Sequence, residues 1–498
     1  MPRSEKIAQT VPSAPRSLRA AGAAALPWIE VARGAPYFVE EGGADWHPIG
    51  QNDAISWVEL DPLFRRRDVA AVDRHLAMLK AHGVTVLRLM MEYAQVRHRY
   101  MERPAGTFPP NMVQLWDDLF ALCENHGLRI LLTPYDTFWM WLHFRHHPYA
   151  AARGGPLPHP SQALTDPAMR AAIKARLSFA TARWGGSGAL FAWDVWNEIH
   201  PAQGGDSADA FDEFIADIGG HLRAEEMRLH GRSHPQTVSI FGPELVWRPH
   251  LAMEGAIFRH PALDAATVHI YEQGTIDDPR DTVGAALGMG RIVRECIGEI
   301  ADRRPFFDSE HGPIHAFKDK HRKIPEDFDD EYFRHMQWAH LAAGGAGGGM
   351  RWPNRKPHVL TAGMRRAQRG LAAFVPSIDW ARFDRRSVGP EIVVTDAEGS
   401  TVGEDRMARF ACASRDQAVV YLLGRDRLDA RGMLRRDGPP FRLAVSVPGL
   451  DAGRYRVSCW DTVAGRNVAP PTEQDGATPF VLPAFDGDAA VAIRRCGD

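Results

Sequence analysis

Residues 191–201 read F-A-W-D-V-W-N-E-I-H-P and put an amide, Asn197, beside a carboxylate, Glu198, where an apolar run ends. The run has the texture of a buried parallel strand. A carboxylate at the exit of such a strand is costly unless it is paired, hydrogen-bonded or protonated. Enzymes use that environment to hold a carboxylic acid ready to release its proton near neutral pH. A second carboxylate, Glu310, stands in F-F-D-S-E-H-G-P at 306–313. Two carboxyl groups flanking one bond are what glycoside hydrolysis needs, one as acid and one as base or nucleophile. A separation of about 5–5.5 Å gives retention and about 6.5–9.5 Å gives inversion. A lone Glu at a strand end reads more readily as a loop cap, so the chemistry depends on whether the fold makes the two face each other.

The elements that would do so alternate. A short strand at 46–50 leads to Gln51 and Asn52. A helix over 67–83 follows, with Val69, Val72, Leu76 and Leu79 at helical spacing and Gly83 at its end. Strand 84–90 is apolar except for Thr85 and Arg88. Helix 111–126 closes at Gly127, and strand 128–133 comes next. After a long segment, 134–164, helix 166–184 leads into the opening strand. Helices at 209–229, 282–300, 329–343 and 361–374 then alternate with strands at 237–241, 266–270, 304–308 and 347–352. Eight strand–helix steps predict an α/β fold, a (β/α)8 TIM barrel over 29–383. An open doubly wound sheet would show a Gly-rich phosphate turn after its first strand, and Q-N-D-A-I-S-W at 51–57 is not one. From about residue 384 the texture changes to short alternating runs separated by Gly, Pro and Asp. These predict a small antiparallel β-sandwich over 384–498. Residues 1–28 read as a leader.

Active-site residues of such a barrel stand at the C-terminal ends of its strands. The ends carry Asn52 with Trp57 nearby, Arg88 with Glu92 and Tyr93, Tyr135 and Asp136, then Asn197 and Glu198. After these come Glu244 and Trp247, His269 and Tyr271, Glu310 and His311, and Arg351 and Trp352. Polar and aromatic groups converging on one end suit a sugar site. Strands four and seven face each other across a barrel mouth, which pairs Glu198 with Glu310.

These residues resemble those of clan A glycoside hydrolases: W-N-E at strand four, H-x-Y at strand six, a Glu ending strand seven and a Trp ending strand eight. Family 5 cellulases and mannanases are the nearest comparison, over residues 35–375. The resemblance implies Glu198 as acid/base and Glu310 as nucleophile of a retaining β-glycosidase acting on an oligo- or polysaccharide. It further implies Asn197 on the sugar 2-hydroxyl, Arg88 supporting the nucleophile, His269 and Tyr271 hydrogen-bonded to it, and Trp352 as a sugar platform. Asn52 and Tyr135 complete the expected substrate-binding set. One departure stands out. Family 5 members usually carry a His near the end of strand three, where this chain reads L-L-T-P-Y, so Tyr135 or His143 is expected to fill that space. The same pair could serve a transglycosylase. A non-catalytic carbohydrate-binding barrel is the reading from another class.

Composition narrows the alternatives. The 498 residues are 45% hydrophobic and 24% charged with a formal net charge of −3, which argues against nucleic-acid binding and a polybasic membrane surface. No run reaches ~18 apolar residues, so no membrane partner is expected. Residues 20–26 are too short for a signal-peptide core, which makes a cytoplasmic protein the expectation. Cys123, Cys296, Cys412, Cys459 and Cys496 are scattered, as reduced thiols would be. No cofactor or metal is expected: His143, His146 and His147 have no carboxylate or Cys to complete a site. Gly344–Gly349 lacks a phosphate-loop lysine and reads as close packing beside the last strand. The loops 134–164 and 311–328 are where sugar preference and endo or exo attack would be set. Oligomeric state is left open.

Overall fold

The computed structural model describes residues 17–20, 22, 24–314, 324–353 and 357–497. Residues 1–16 of the expected leader and 315–323 of the loop after strand seven lie outside the described residues. At its near end the chain is already packed, with the Trp28 ring stacked 3.7 Å from that of His234.

Three short antiparallel strands, β1 (Ile29–Val31), β2 (Phe38–Glu40) and β3 (Asp45–Trp46), precede the main sheet. That sheet is parallel: β4 (Gly50–Asp53), β5 (Val86–Met90), β6 (Arg129–Thr133), β7 (Leu190–Asp194) and β8 (Gln236–Thr237) pair in chain order. Strands β9 (Ala266–Ile270) and β10 (Phe306–His311) form a second parallel pair. Single parallel pairings link Phe241 to His269, His311 to Arg351, and Arg351 to Gln51. The expected eighth strand is thus present as backbone pairing at Arg351 alone. β4–β7, β9 and β10 are buried along their length, which is why β5, β6 and β7 read as near-continuous apolar runs, whereas β4 and β10 carry polar residues into the interior.

Helices cover the sheet: α1 (Val69–Ala81), α2 (Pro110–His126), α3 (Thr137–Leu142), α4 (Pro167–Trp184), α5 (Asp209–His230), α6 (Gly242–Trp247) and α7 (Thr282–Gly298), then Glu326–Ala342 and Ala362–Phe374. Their limits follow from the sequence. Asp68, Asp166 and Asp281 cap α1, α4 and α7 by accepting backbone N–H bonds, and Gly127 ends α2 in the left-handed region. A Cβ on Gly347, at φ +73°, would lie 2.3 Å from the Pro48 carbonyl oxygen, so the Gly-rich run is there for backbone approach. Parallel strands alternating with helices fit a TIM barrel.

Beyond the last helix every paired strand is antiparallel. One sheet runs Arg386–Ser387, Met407–Ala413, Gln417–Gly424, Asp488–Arg495, Arg454–Asp461 and Arg466–Asn467, and Thr472–Asp475 also pairs with the fifth of these. A three-stranded sheet of Val393–Asp396, Leu443–Ser446 and Phe480–Val481 lies over one face. Alternation decides what each face meets. Val420, Leu422 and Val491 point to the second sheet, whereas Phe410, Val419 and Tyr421 join the core shared with the helices. There Tyr421 stacks on Trp338 at 6.3 Å, and Arg334 reaches the buried Asp488 at 3.0 Å. All five cysteines are free and four are buried. No helix among the described residues is long and apolar enough to cross a membrane.

Candidate active site

Arg88 is the centre of the site. It interrupts β5, and its side chain is fully buried. A buried guanidinium must be surrounded by acceptors, and this one is. Its Nη1 donates to Asn52 Oδ1 and to Glu310 Oε2, both at 2.9 Å. Its Nη2 donates to Asp194 Oδ2 at 2.7 Å and to Asn197 Oδ1 at 2.5 Å, and Nε also reaches Asp194 at 3.2 Å. One side chain thereby ties the ends of β4, β5, β7 and β10 together.

The two candidate carboxylates stand on either side of it. Glu310 Oε1 accepts from the Tyr271 hydroxyl at 2.7 Å, so both of its oxygens are held. Glu198 Oε1 lies 2.8 Å from His269 Nδ1, which is also 3.7 Å from Glu310 Oε2. Oxygens of Glu198 and Glu310 and a His269 ring nitrogen all lie within 4.8 Å of one another. In geometry that trio could ligate a cation, although the positive charge it already faces is Arg88. Glu198 has φ +50°, in the left-handed region that costs a non-glycine residue energy. The turn is held by Ser239, whose Oγ accepts from Glu198 N at 3.2 Å and whose carbonyl accepts from Ile199 N at 2.9 Å.

Burial sets the proton affinities. It pushes Glu198 up to about 7, against the pull of Arg88 and with the help of Asp194 and Glu244. Burial also raises Glu310, and the Glu198 charge adds to it while His269, Arg88 and Tyr271 oppose it. Burial lowers His269 to about 4, leaving a neutral ring at neutral pH.

Asn52, Arg88, Asn197, Glu198, His269, Tyr271 and Glu310 therefore form one hydrogen-bonded cluster. Trp352 stands beside it in an aromatic wall, edge-on to Trp57 at 5.0 Å and tilted on Tyr93 at 6.2 Å. Tyr93 in turn meets Trp139 at 5.6 Å.

Tyr135 is the exception, and the expectation for it is corrected. Its hydroxyl bonds that of Tyr149 at 3.2 Å, and its ring stacks on Trp196 under the Arg176 guanidinium. Successive strand residues point to opposite faces, so it is the next residue, Asp136, that faces the site, with Oδ1 accepting from Asn197 Nδ2 at 2.5 Å. His143 does not fill the space either; its ring stacks on Trp139 at 5.5 Å. His147 turns away to bond Glu92 at 2.8 Å.

Sequence reasoning missed Asp194 and Ser239 as site residues, and it placed Asp136 at the end of its strand but chose Tyr135 for the substrate-binding set. Asp194 was recoverable: an Asp inside a buried strand demands a cation, and Arg88 two strands away demands an anion.

Comparison with known proteins bears on the fold. No family model matches the chain, and no curated protein matches it. Solved structures do. A glycoside hydrolase family 5 structure from Bacteroides vulgatus superposes with a TM-score of 0.60 at 12% identity, covering 94% of each chain. A structure described as a glycoside hydrolase gives 0.58 at 13% identity, over 95% of this chain and 98% of its own. A mutant of a Rhizomucor miehei family 5 mannosidase gives 0.54 at 14% identity, over 71% of this chain and 99% of its own. The chain shares the fold of these structures. The cluster lies at the C-terminal ends of its parallel strands, the face on which TIM barrels carry their active sites.

Proposed function

We propose that the protein is a glycoside hydrolase built on a closed (β/α)8 barrel, cleaving β-glycosidic bonds in an oligo- or polysaccharide with retention and without a cofactor. The observation that carries this reading is the carboxylate pair: oxygens of Glu198 and Glu310 within 4.8 Å, around one guanidinium. That spacing suits a direct attack by one carboxylate better than an intervening water.

The hydrogen bonds support a division of roles. Glu310, held at both oxygens by Arg88 and Tyr271, is the nucleophile. Glu198, raised to about 7, carries the proton. In the first step a Glu310 oxygen bonds to the anomeric carbon as the bond to the leaving oxygen breaks, and that oxygen takes the Glu198 proton. In the second, Glu198 removes a proton from water, whose oxygen bonds to the anomeric carbon and releases the Glu310 carboxylate. Asn197 has one N–H committed to Asp136, and its other N–H is the donor for the sugar 2-hydroxyl. Trp352 and its aromatic neighbours offer the ring-stacking wall that a sugar needs. The like fold in a mannosidase makes mannosides the first substrates to try.

The test is a panel of aryl β-glycosides, mannosides included, with wild type, Glu198→Ala and Glu310→Ala. Each variant should lose about 10³-fold or more in kcat. Azide should rescue Glu310→Ala with inverted product and Glu198→Ala with retained product. Near-wild-type turnover in either variant would sink the assignment.

A further inference from the structure

A cavity of about 500 Å³ opens away from the carboxylate cluster, with none of that cluster's residues in its lining. It lies between the segment after β4 and the hairpin after β5, where Tyr93 and Arg99 pair antiparallel. Tyr93 faces the aromatic wall, so the hairpin separates the cavity from the carboxylate cluster.

The walls carry Arg65, Arg67, Arg97, Arg99 and Arg103 with His98. Against five guanidinium groups the ion pairs among the described residues supply one carboxylate, Asp61, shared by Arg67, Arg99 at 2.6 Å and Arg97 at 3.8 Å. No ion pair to Arg65 or Arg103 is found among the described residues. Partial burial and the positive groups around it, His143, His146, Arg103 and Arg145, lower His98. In a chain of formal charge −3 this is a local positive excess.

Two further features converge there. The N-terminus of α2 borders the cavity with no capping side chain and no acid in its first turn; Pro110 has no N–H and Met112 and Val113 donate theirs to the Pro109 carbonyl, so what this helix end offers an anion is its dipole. Arg65 and Arg66 are both left-handed, at φ 59° and 51°, so strained backbone presents Arg65 at this wall.

We propose that this cavity binds an oxyanionic group: a carboxylate, a sulfate ester or a phosphate ester. Planar guanidinium forks match such groups bidentately. The group has two possible sources, a substituent on the carbohydrate substrate or a free inorganic anion. The first source rests on the hydrolase reading.

The experiment titrates sodium sulfate and sodium phosphate, with chloride as control, into wild type and the double variant Arg97→Ala/Arg103→Ala by calorimetry at low ionic strength. Wild type should bind saturably and the variant at least tenfold more weakly. Absence of saturable binding, or equal binding by both, overturns the proposal. Turnover of sulfated or carboxylated oligosaccharides against neutral aryl glycosides then separates the sources. A tenfold or larger loss of kcat/KM in the variant on anionic substrates alone identifies a substrate-borne group. Unchanged ratios with anion binding lost identify a free anion. Hydrolysis of neither substrate class by wild type that still binds sulfate would defeat the hydrolase reading and leave the anion cavity standing.

Discussion

Two buried arginines in this molecule are set among nearly the same kinds of side chain and produce opposite electrostatics. Arg176 pairs with Glu92 at 3.1 Å and Glu102 at 2.5 Å, beside His147, Tyr149 and Tyr135. Arg88 pairs with Asp194 and Glu310, beside Glu198, His269 and Tyr271. Burial would raise Glu92, but the Arg176 and His147 charges more than reverse it and hold the group at about 2. At Arg88 a single guanidinium faces three carboxylates, and Glu198 is left at about 7. The difference is a balance of charges: Arg176 and His147 together hold Glu92 ionised in a locked structural network, and one guanidinium shared by three carboxylates leaves an acid that still holds its proton.

Substituting each arginine tests this most severely. Arg176→Met and Arg88→Met should each destabilise the fold by about 3–5 kcal/mol, because each leaves buried carboxylates unpaired. Denaturant unfolding should show both losses. Only Arg88→Met should also abolish turnover per folded molecule, since Glu310 loses its Nη1 bond. Equal loss of specific activity in both variants would erase the distinction between site and scaffold.

Much of the Arg88 side was legible in the sequence. Charged and amide residues at the ends of apolar strands have few structural reasons to be there, so Asn52, Arg88, Asn197, Glu198, His269, Tyr271 and Glu310 stood out. The Arg176 side was not legible. Arg176 lies in the middle of helix α4, where an arginine ordinarily faces water, and its partners Glu92 and Glu102 flank the hairpin after β5. Tyr135 was misread because strand parity past β6 fixes which of two adjacent residues faces inward, and a proline at 134 hides the end of the strand. The order of the elements was plain from periodicity, whereas the eighth strand was read as an extended run and, among the described residues, pairs at Arg351 alone, with Gln51 on one side and His311 on the other.

Proton linkage gives the next contrast, with opposite signs. Glu92 has a folded pKa of about 2, below its unfolded value. Its contribution is therefore present above about pH 4.5 and is lost as pH falls toward 2. Glu198 is raised, so the folded state holds a proton that the unfolded state has released between about pH 4.5 and 7. Stability from this group falls as pH rises through that window. Glu92→Gln should lower stability near pH 7 by on the order of 2 kcal/mol and flatten the acid limb. Glu198→Gln should raise stability at pH 8 by on the order of 1–2 kcal/mol and leave the acid limb in place. Chemical denaturation across pH 3–8 measures both; matching signs would contradict the charge balance.

The smallest expected effect comes from Asp136, a fourth carboxylate near Arg88 that sharpens the same balance. Burial raises it to about 7, against its bonds from Trp139 N and Asn197, and the Glu198 charge adds to the rise. Such coupling is mutual, so an ionised Asp136 raises Glu198 in return. Asp136→Asn keeps the shape and removes the charge. In the proposed mechanism Glu198 acts in its protonated form, so kcat/KM should fall on the alkaline side as Glu198 loses its proton, and in the variant that limb should move to lower pH by a few tenths of a unit. The variant should also lose about 1 kcal/mol of stability, because Asp136 caps α3 through Trp139 N at 2.5 Å. Glu92→Gln, on the Arg176 side, should leave the alkaline limb unmoved. A limb that shifts in Glu92→Gln and stays fixed in Asp136→Asn would place the surplus charge in the wrong cluster.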